Sequence, residues 1–491
     1  MYFFRKNASL LLKIYLIVFM LLITVMLISI YFSGYFNVHG DEAVYYNYGR
    51  MFYETESIKA SFTLNEQSST IGEIGWYGPF YNLIYGGIFK LFGAQHMYII
   101  TFHYLLLLLC LLVIRYFPLS ELQRLTYAAI LLSTYIICPF VFTCYPEIIQ
   151  ILLSMILILV YAKIDQNQKM FYLFLFLIFV FALTRVTMVF WIFSILFFKD
   201  TPISFKLRFT ICILFVVAIL IYMKFFQASS VVVGLQVIHE FSLSNIYTSI
   251  VKILNNTKTN LYQLFNQSHS SVITFLSLFF IACFNVFSAK NESFFKSKKI
   301  GLLAVVMITF LVLISMYMTP AINFEKQVGF LIPIIIFVIV YSQKNVLITL
   351  CISLGVFFPH ALIKTVNNYA ERKNAVADVN QYSDFNNEIT HLFDQVPLKE
   401  KTTHVLCYTP DFIVPENYLT CFLPLSKDGS LILYTSNRYD PKNNTVSLKF
   451  HTFNHWKIDY ILSAYPLDLP NITLVKGNKH YYLYHCSNFH L

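Results

Sequence analysis

His39-Gly40-Asp41-Glu42-Ala43-Val44-Tyr45-Tyr46-Asn47-Tyr48-Gly49-Arg50 follows directly on the first long apolar run of the chain, residues 8–33. Two adjacent carboxylates, Asp41 and Glu42, therefore stand where a hydrophobic segment ends. In a membrane protein an acidic pair beside the bilayer carries a desolvation cost unless something uses it. The apolar positions Val44, Tyr45, Tyr48, Met51 and Phe52 have helical spacing. They predict an amphipathic helix lying in the interface with an acidic first turn, where carboxylates complement the helix dipole. Capping of that helix by Asp41 is the simplest structural use of the pair.

The run before the motif is one of many. The chain has 491 residues, is 57% hydrophobic and only 12% charged, against about 25% charged in a soluble domain. Crossing a bilayer as a helix takes roughly 18 or more apolar residues, and several runs reach that length. The fold class is a polytopic α-helical membrane protein. Eleven membrane segments are expected, near 8–33, 98–115, 124–143, 146–163, 170–184, 186–199, 208–226, 272–289, 300–318, 326–342 and 345–362. The fifth and sixth are short, flank Arg185, and read alternatively as one broken hairpin. The first run is long and lacks a small-residue cleavage site, so it is expected to remain as a helix.

Loop charges orient this array. With the N-terminus inside, the short inner loops hold Arg5 and Lys6, Arg115 and Arg124, Lys163 and Lys169, Lys199 with Lys206 and Arg208, Lys290 through Lys299, and Lys344. Cytoplasmic loops carry such an excess of Lys and Arg. The net charge of +10 is thus explained by topology, and nucleic acid is not implied. The reading places the N-terminus in the cytoplasm and the C-terminus outside. Residues 1–362 form the membrane domain, with outer loops at 34–97 and 227–271. Residues 363–491 form an extracytoplasmic domain. There the apolar stretches His404 to Tyr408, Ser430 to Tyr434, Val446 to Phe450 and His480 to Tyr484 alternate with turn-rich sequence, which predicts a small α/β or mostly β fold. Of nine cysteines, six lie in or beside apolar runs as small hydrophobes. In the tail, Cys407 and Cys421 are the expected pair if a disulfide forms.

Further candidate residues fall at the same outer face. Cys144-Tyr145-Pro146-Glu147 opens the fourth segment, with Pro146 suited to a helix start and Glu147 beside it. Arg185 stands amid near-continuous apolar sequence, where a charge costs roughly 2.5–3.5 kcal/mol unless it is paired or near the surface. Glu325-Lys326 precedes the tenth segment. Gly75-Trp76-Tyr77-Gly78-Pro79-Phe80-Tyr81 forms an aromatic stretch in the first loop. Each has a structural reading: dipole partner, snorkelling anchor, self-satisfied ion pair, interfacial belt. Together they place acids able to act as a base beside cations able to hold a phosphate. His39 adjoins the acidic pair, positioned to bind a metal or tune it. His96, His103, His239 and His360 have no ligand-like spacing.

The order of these features resembles the GT-C glycosyltransferases that use polyprenyl-phosphate sugars, in particular the aminoarabinose-transferase-like and protein O-mannosyltransferase-like members. Asp41-Glu42-Ala43 with Tyr45 and Tyr46, Gly78-Pro79-Phe80-Tyr81 through Phe92-Gly93, Glu147, and Ala182-Leu183-Thr184-Arg185 carry the resemblance. Lys326 through Pro333 keeps a cation and the proline of a further family pattern, without its Arg-Tyr. The resemblance implies an inverting transfer at the outer face. Asp41 would be the base, Glu42 and Glu147 would orient the acceptor or share that role, and Arg185 with Lys326 would neutralise the departing lipid phosphate. Tyr45, Trp76, Tyr77 and Pro79 would contact substrate. The implied partners are a polyprenyl-phosphate sugar, a glycan, lipid or protein acceptor, and membrane lipids. Some members use a divalent metal, for which this sequence shows no clear ligand set. The implied location is a bacterial plasma (inner) membrane. A transporter or lipid flippase would instead place ionisable groups near the bilayer midplane and show a repeat. A non-catalytic scaffold would scatter these residues over its surface.

Overall fold

The computed structural model describes residues 2–33, 42–59, 62–64, 74, 78–134, 138–164, 168–198, 203–226, 246–267, 269–287, 293–316, 328–342, 346–379, 391–393, 402–408, 430–436, 438–440, 445–447, 457–463, 466–468, 471–477 and 481–490. The protein is a polytopic helical membrane protein with a small C-terminal sheet. Among the described residues five helices are long and apolar enough to cross a membrane, with windows at Asn7–Phe32, His96–Ile114, Phe205–Met223, Lys298–Ser315 and Thr349–Asn367. Shorter apolar helices lie at Gln168–Thr184, Val186–Phe197, Val272–Phe287 and Gly329–Ser342. By contacts the chain divides into two units, one of 1–32, 100–225 and 232–371, the other of 33–99, 226–231 and 372–491.

In the first unit, helix α1 (Tyr2–Ser33) buries Leu12, Phe19, Ile23, Met26 and Ile30 at helical spacing and exposes Leu11, Ile17, Val18, Leu21 and Val25. That outward face is the one lipid solvates. Against its neighbours it makes polar bonds: Tyr15 to Ser133 at 2.8 Å, Thr24 to Tyr104 at 2.7 Å, and Ser29 to Tyr369 at 2.6 Å. Between membrane helices such bonds act as glue, because apolar burial gives little drive in lipid.

The expected segment at 124–143 is interrupted. Helix α5 (Glu121–Ser133) opens with a full capping box on Ser120 and Gln123. After Thr134 the described chain resumes as a 3-10 turn, Cys138–Phe142. Pro139 disfavours helical geometry at the residue before it, so a continuous helix does not suit this sequence. Helix α6 (Glu147–Lys163) follows. Helix α7 (Gln168–Thr184) and the 3-10 helix Val186–Phe197 form a hairpin with Arg185 at its tip. The two arms have different residue counts and similar reach. Seventeen α-helical residues rise about 25 Å at 1.5 Å each, and twelve 3-10 residues about 24 Å at 2.0 Å each. At the far end of the 3-10 arm, buried Arg208 donates to the carbonyls of Ile195 (3.0 Å) and Phe198. It thereby satisfies acceptors that the helix end leaves open.

The second unit is built on a helix pair and a sheet. Helices α2 (Glu42–Thr55) and α3 (Phe80–Phe92) cross at Gly49 and Gly86. A Cβ on Gly49 would sit 2.7 Å from Tyr85 Cβ, and one on Gly86 would sit 2.7 Å from Phe52 Cβ. The helix expected at 42–55, with its acidic first turn, is present and packs against α3. Residues Val44 through Arg50 are all buried, and the apolar-face residues Tyr45 and Phe52 lie against α3 at Tyr81 and Gly86. The sheet has six strands in the order β1-β3-β2-β6-β8-β7, where β1 is Phe62–Leu64, β2 Thr402–Tyr408, β3 Ser430–Ser436, β6 Lys457–Ser463, β7 Ile472–Gly477 and β8 Tyr482–His490. The pairs β1·β3, β2·β3 and β2·β6 are parallel, while β6·β8 and β7·β8 are antiparallel. Strand β1 comes from the first loop, so that loop and the tail share one sheet. A short ladder pairs β4 (Arg438–Asp440) with β5 (Thr445–Ser447). The expected Cys407–Cys421 pair lies outside the described residues. Cys486 is free and buried.

Candidate functional site

In the first unit the structure brings Glu147 and Arg185 together. Pro146 caps α6 with φ −78° and ψ 10° and no side-chain bond. The turn before it is held locally: the Thr143 hydroxyl donates to the Phe140 carbonyl at 3.0 Å and accepts from the Tyr145 amide at 3.3 Å. Buried His103 Nδ1 donates to the Thr143 carbonyl at 2.8 Å. These contacts fix where α6 begins and so where Glu147, its first residue, is placed. Glu147 is buried, its side chain 2% exposed.

Arg185 reaches this helix from the hairpin tip. Its backbone is extended (φ −147°, ψ 115°), which breaks α7 from the following 3-10 arm. Its Nη1 donates to Gln150 Oε1 at 2.5 Å and lies 3.9 Å from Glu147 Oε1. Its Nε donates to Thr187 Oγ1 at 3.3 Å, and the guanidinium carbon stands 5.9 Å from the centre of the Phe330 ring. Only 12% of the side chain is exposed. A snorkelling anchor would extend its head into water, whereas this one folds back onto α6. Nη2 makes no hydrogen bond among the described residues. Two of the guanidinium nitrogens are thus held by neutral oxygens. A planar fork of this kind suits phosphate or carboxylate oxygens.

Gln150 and Phe330 were not singled out from the sequence. The only signal for Gln150 was its place three residues after Glu147, on the same helix face.

In the second unit, Glu42 opens α2 and is buried, as are Tyr45, Asn47 and Arg50. Arg50 pairs with Glu54 on the same helix. Tyr45 packs edge-on against Tyr81, with ring centres 5.6 Å apart. Tyr46 stacks on His96 at 3.6 Å and donates to the Ala94 carbonyl at 2.9 Å. Pro79 sits at the N-cap of α3. Asp41, Trp76, Tyr77 and Lys326 lie outside the described residues. Among the described residues no group of three or more His, Cys, Asp or Glu side chains is placed to hold a metal.

No protein-family model matches the chain, and no curated protein matches it. Among solved structures it is similar to the crystal structure of ArnT from Cupriavidus metallidurans bound to undecaprenyl phosphate. That match has a TM-score of 0.48 and 8% identity, and covers 96% of this chain and 97% of the other. It is also similar to ArnT from the same organism in the apo state, with a TM-score of 0.39, 10% identity, and 96% and 98% of the two chains covered. These likenesses assign no activity to this chain.

Proposed function

We propose that this chain is an integral membrane glycosyltransferase that moves a sugar from a polyprenyl-phosphate donor to an acceptor hydroxyl, with inversion, at the outer face of a bacterial plasma membrane. The observation that carries the reading is the part-buried Arg185 fork, bonded through Nη1 and Nε, beside the buried carboxylate of Glu147. The motif resemblance at Asp41-Glu42, Gly78-Pro79, Glu147 and Arg185 supports it.

The chemistry asks for two things. An acceptor alcohol is about as weak an acid as water, with a pKa of roughly 15.7, so it needs a base as it attacks the anomeric carbon. The bond from that carbon to the phosphate oxygen breaks as the new glycosidic bond forms, and the lipid phosphate leaves with the electron pair. In this reading Asp41 takes the acceptor proton. Glu42 and Glu147 orient the acceptor or share that role. Arg185, with Lys326, matches the growing charge on the phosphate, while Tyr45, Trp76, Tyr77 and Pro79 contact substrate. General-base help contributes roughly 10²–10⁴-fold. Loss of one preorganised charge-stabilising donor costs about 10²–10³-fold in kcat.

Arg185→Leu and Arg185→Lys test the phosphate role in reconstituted, monodisperse protein. The leucine variant is expected to lose about 10²-fold or more in turnover of a polyprenyl-phosphate sugar and to bind polyprenyl phosphate more weakly. The lysine variant, which keeps the charge and loses the fork, should fall between it and wild type. Wild-type turnover in folded Arg185→Leu would remove Arg185 from the mechanism.

A further inference from the structure

Between the span ending near Phe226 and the helix His269–Phe287 lies a 22-residue helix, Ile246–Gln267, in a stretch the sequence pattern assigns to an outer loop. Its residues sort into three stripes, each at three-, four- and seven-residue steps and therefore on a single helix face. The first is exposed and apolar except for Lys258 at its middle: Tyr247, Ile250, Leu254, Leu261 and Phe265, with Tyr247 81% and Leu254 63% exposed. The second is exposed and polar, with Tyr262 the aromatic member: Thr248, Lys252, Asn255, Thr259 and Asn266. The third faces protein. There Ser249, Asn260 and Leu264 are buried, and the Asn256 and Asn260 side-chain amides donate to the carbonyls of Ser315 and Ile314, both at 2.8 Å. Those two carbonyls belong to the last turn of the helix Ser293–Met316, where no later amide of the helix can reach them. The middle of Ile246–Gln267 is therefore fastened across the end of the span Lys298–Ser315.

We propose that Ile246–Gln267 is an in-plane membrane helix, seated in the phospholipid headgroup layer at the face where that span ends. Its apolar stripe enters the acyl boundary and its polar stripe faces water. Three faces are what such a position demands: lipid below, water above, protein at the side. A helix standing in water would leave the apolar stripe uncovered. A helix crossing the bilayer would carry Lys252 and its polar stripe through hydrocarbon, at roughly 2.5–3.5 kcal/mol for a central lysine on insertion scales. The occupant is lipid because the next helix, itself apolar over Val272–Phe287, carries an exposed apolar row of its own at Ile273, Phe280, Phe284 and Phe287. Lys258, on the apolar stripe, has a stem long enough to lie along the acyl boundary and bring its ammonium up to lipid phosphates. Interfacial helices of this kind bury the apolar face about 5–10 Å into the headgroup and acyl boundary.

The test uses the full chain in phospholipid vesicles, with an environment-sensitive fluorescent amino acid at Leu254 or at Thr259. A second pair of sites, Leu261 and Asn266, is read if either first position fails to give monodisperse protein. The expected result is blue-shifted emission at Leu254, lost on adding lipid spin-labelled near the headgroup and unaffected by aqueous iodide. At Thr259 the emission is red-shifted and iodide quenches it. Iodide quenching at both sites would overturn the proposal in favour of a helix in water. Equal lipid quenching at both would overturn it in favour of a span. Shielding of Leu254 from both quenchers would overturn it in favour of a protein partner such as a second copy.

Discussion

Gly86 and Gly87 are adjacent in α3, and alanine at each should change stability in opposite directions. In a helix interior, alanine is favoured over glycine by roughly 0.5–1 kcal/mol through backbone entropy alone. At Gly87 nothing lies within 4 Å of the added Cβ, so Gly87→Ala should keep that gain. At Gly86 the same methyl would sit 2.5 Å from Phe52 Cδ1, 2.7 Å from Phe52 Cβ and 3.0 Å from the Gly49 carbonyl oxygen. Two of these atoms are backbone or attached directly to it, so a rotamer change cannot relieve the contact and the helices must separate. Overpacking of this kind costs typically 1–3 kcal/mol. Set against the propensity gain, the net change for Gly86→Ala is a loss of up to about 2 kcal/mol. The assay is the fraction of monodisperse protein surviving a temperature series in one detergent, for wild type and both variants. Survival of Gly86→Ala to the same raised temperature as Gly87→Ala would refute the close crossing of α2 and α3.

Two further outcomes follow. At 3.9 Å the Glu147–Arg185 attraction is about 4 kcal/mol at an effective dielectric of 20, before desolvation, and removing one partner of a buried pair costs about 3–5 kcal/mol. Arg185→Leu should therefore lower thermal survival, and Glu147→Gln combined with it should recover part of the loss. Equal survival of the single and double variants would deny the coupling. In the sheet, burial first and Asp459 second push the Cys486 thiol up to about 12. The folded protein then keeps a proton that the unfolded chain gives up, so this contribution to stability falls as pH rises above the ordinary thiol value of 9.0. Maleimide at pH 8 should leave Cys486 unlabelled in native protein and label it in SDS, as peptide mass spectrometry reports. Equal labelling in both would contradict its burial.

The helices were legible because each is an apolar run bounded by charge, and that pattern survives without knowledge of neighbours. Glu147 and Arg185 could be singled out because a charge amid apolar sequence is conspicuous. Gln150 and Phe330 were not, since a glutamine and a phenylalanine in a helix-rich chain carry no such contrast; only their contacts with Arg185 mark them. The burial around α2 was hidden because it depends on two glycines 37 positions apart meeting at a crossing. Four of the tail's strands were visible as apolar stretches. Strands β4, β6 and β7 were overlooked, and the pairing of Phe62–Leu64 with Leu431–Leu433 is a long-range register that no local pattern encodes. The helix Ile246–Gln267 read as loop because its polar residues are spread over two faces, one of them turned toward the protein.

The most direct test of the central claim is the loss of a polyprenyl-phosphate sugar in vesicles holding the full chain and a cell-envelope acceptor extract, with wild type and Asp41→Asn compared at equal folded protein. The account predicts that wild type consumes the donor and releases polyprenyl phosphate, and that Asp41→Asn consumes it at least about 10²-fold more slowly. Equal consumption by both proteins would contradict Asp41 as the base, and no consumption by wild type across a panel of lipid-linked sugars would contradict the transferase reading itself.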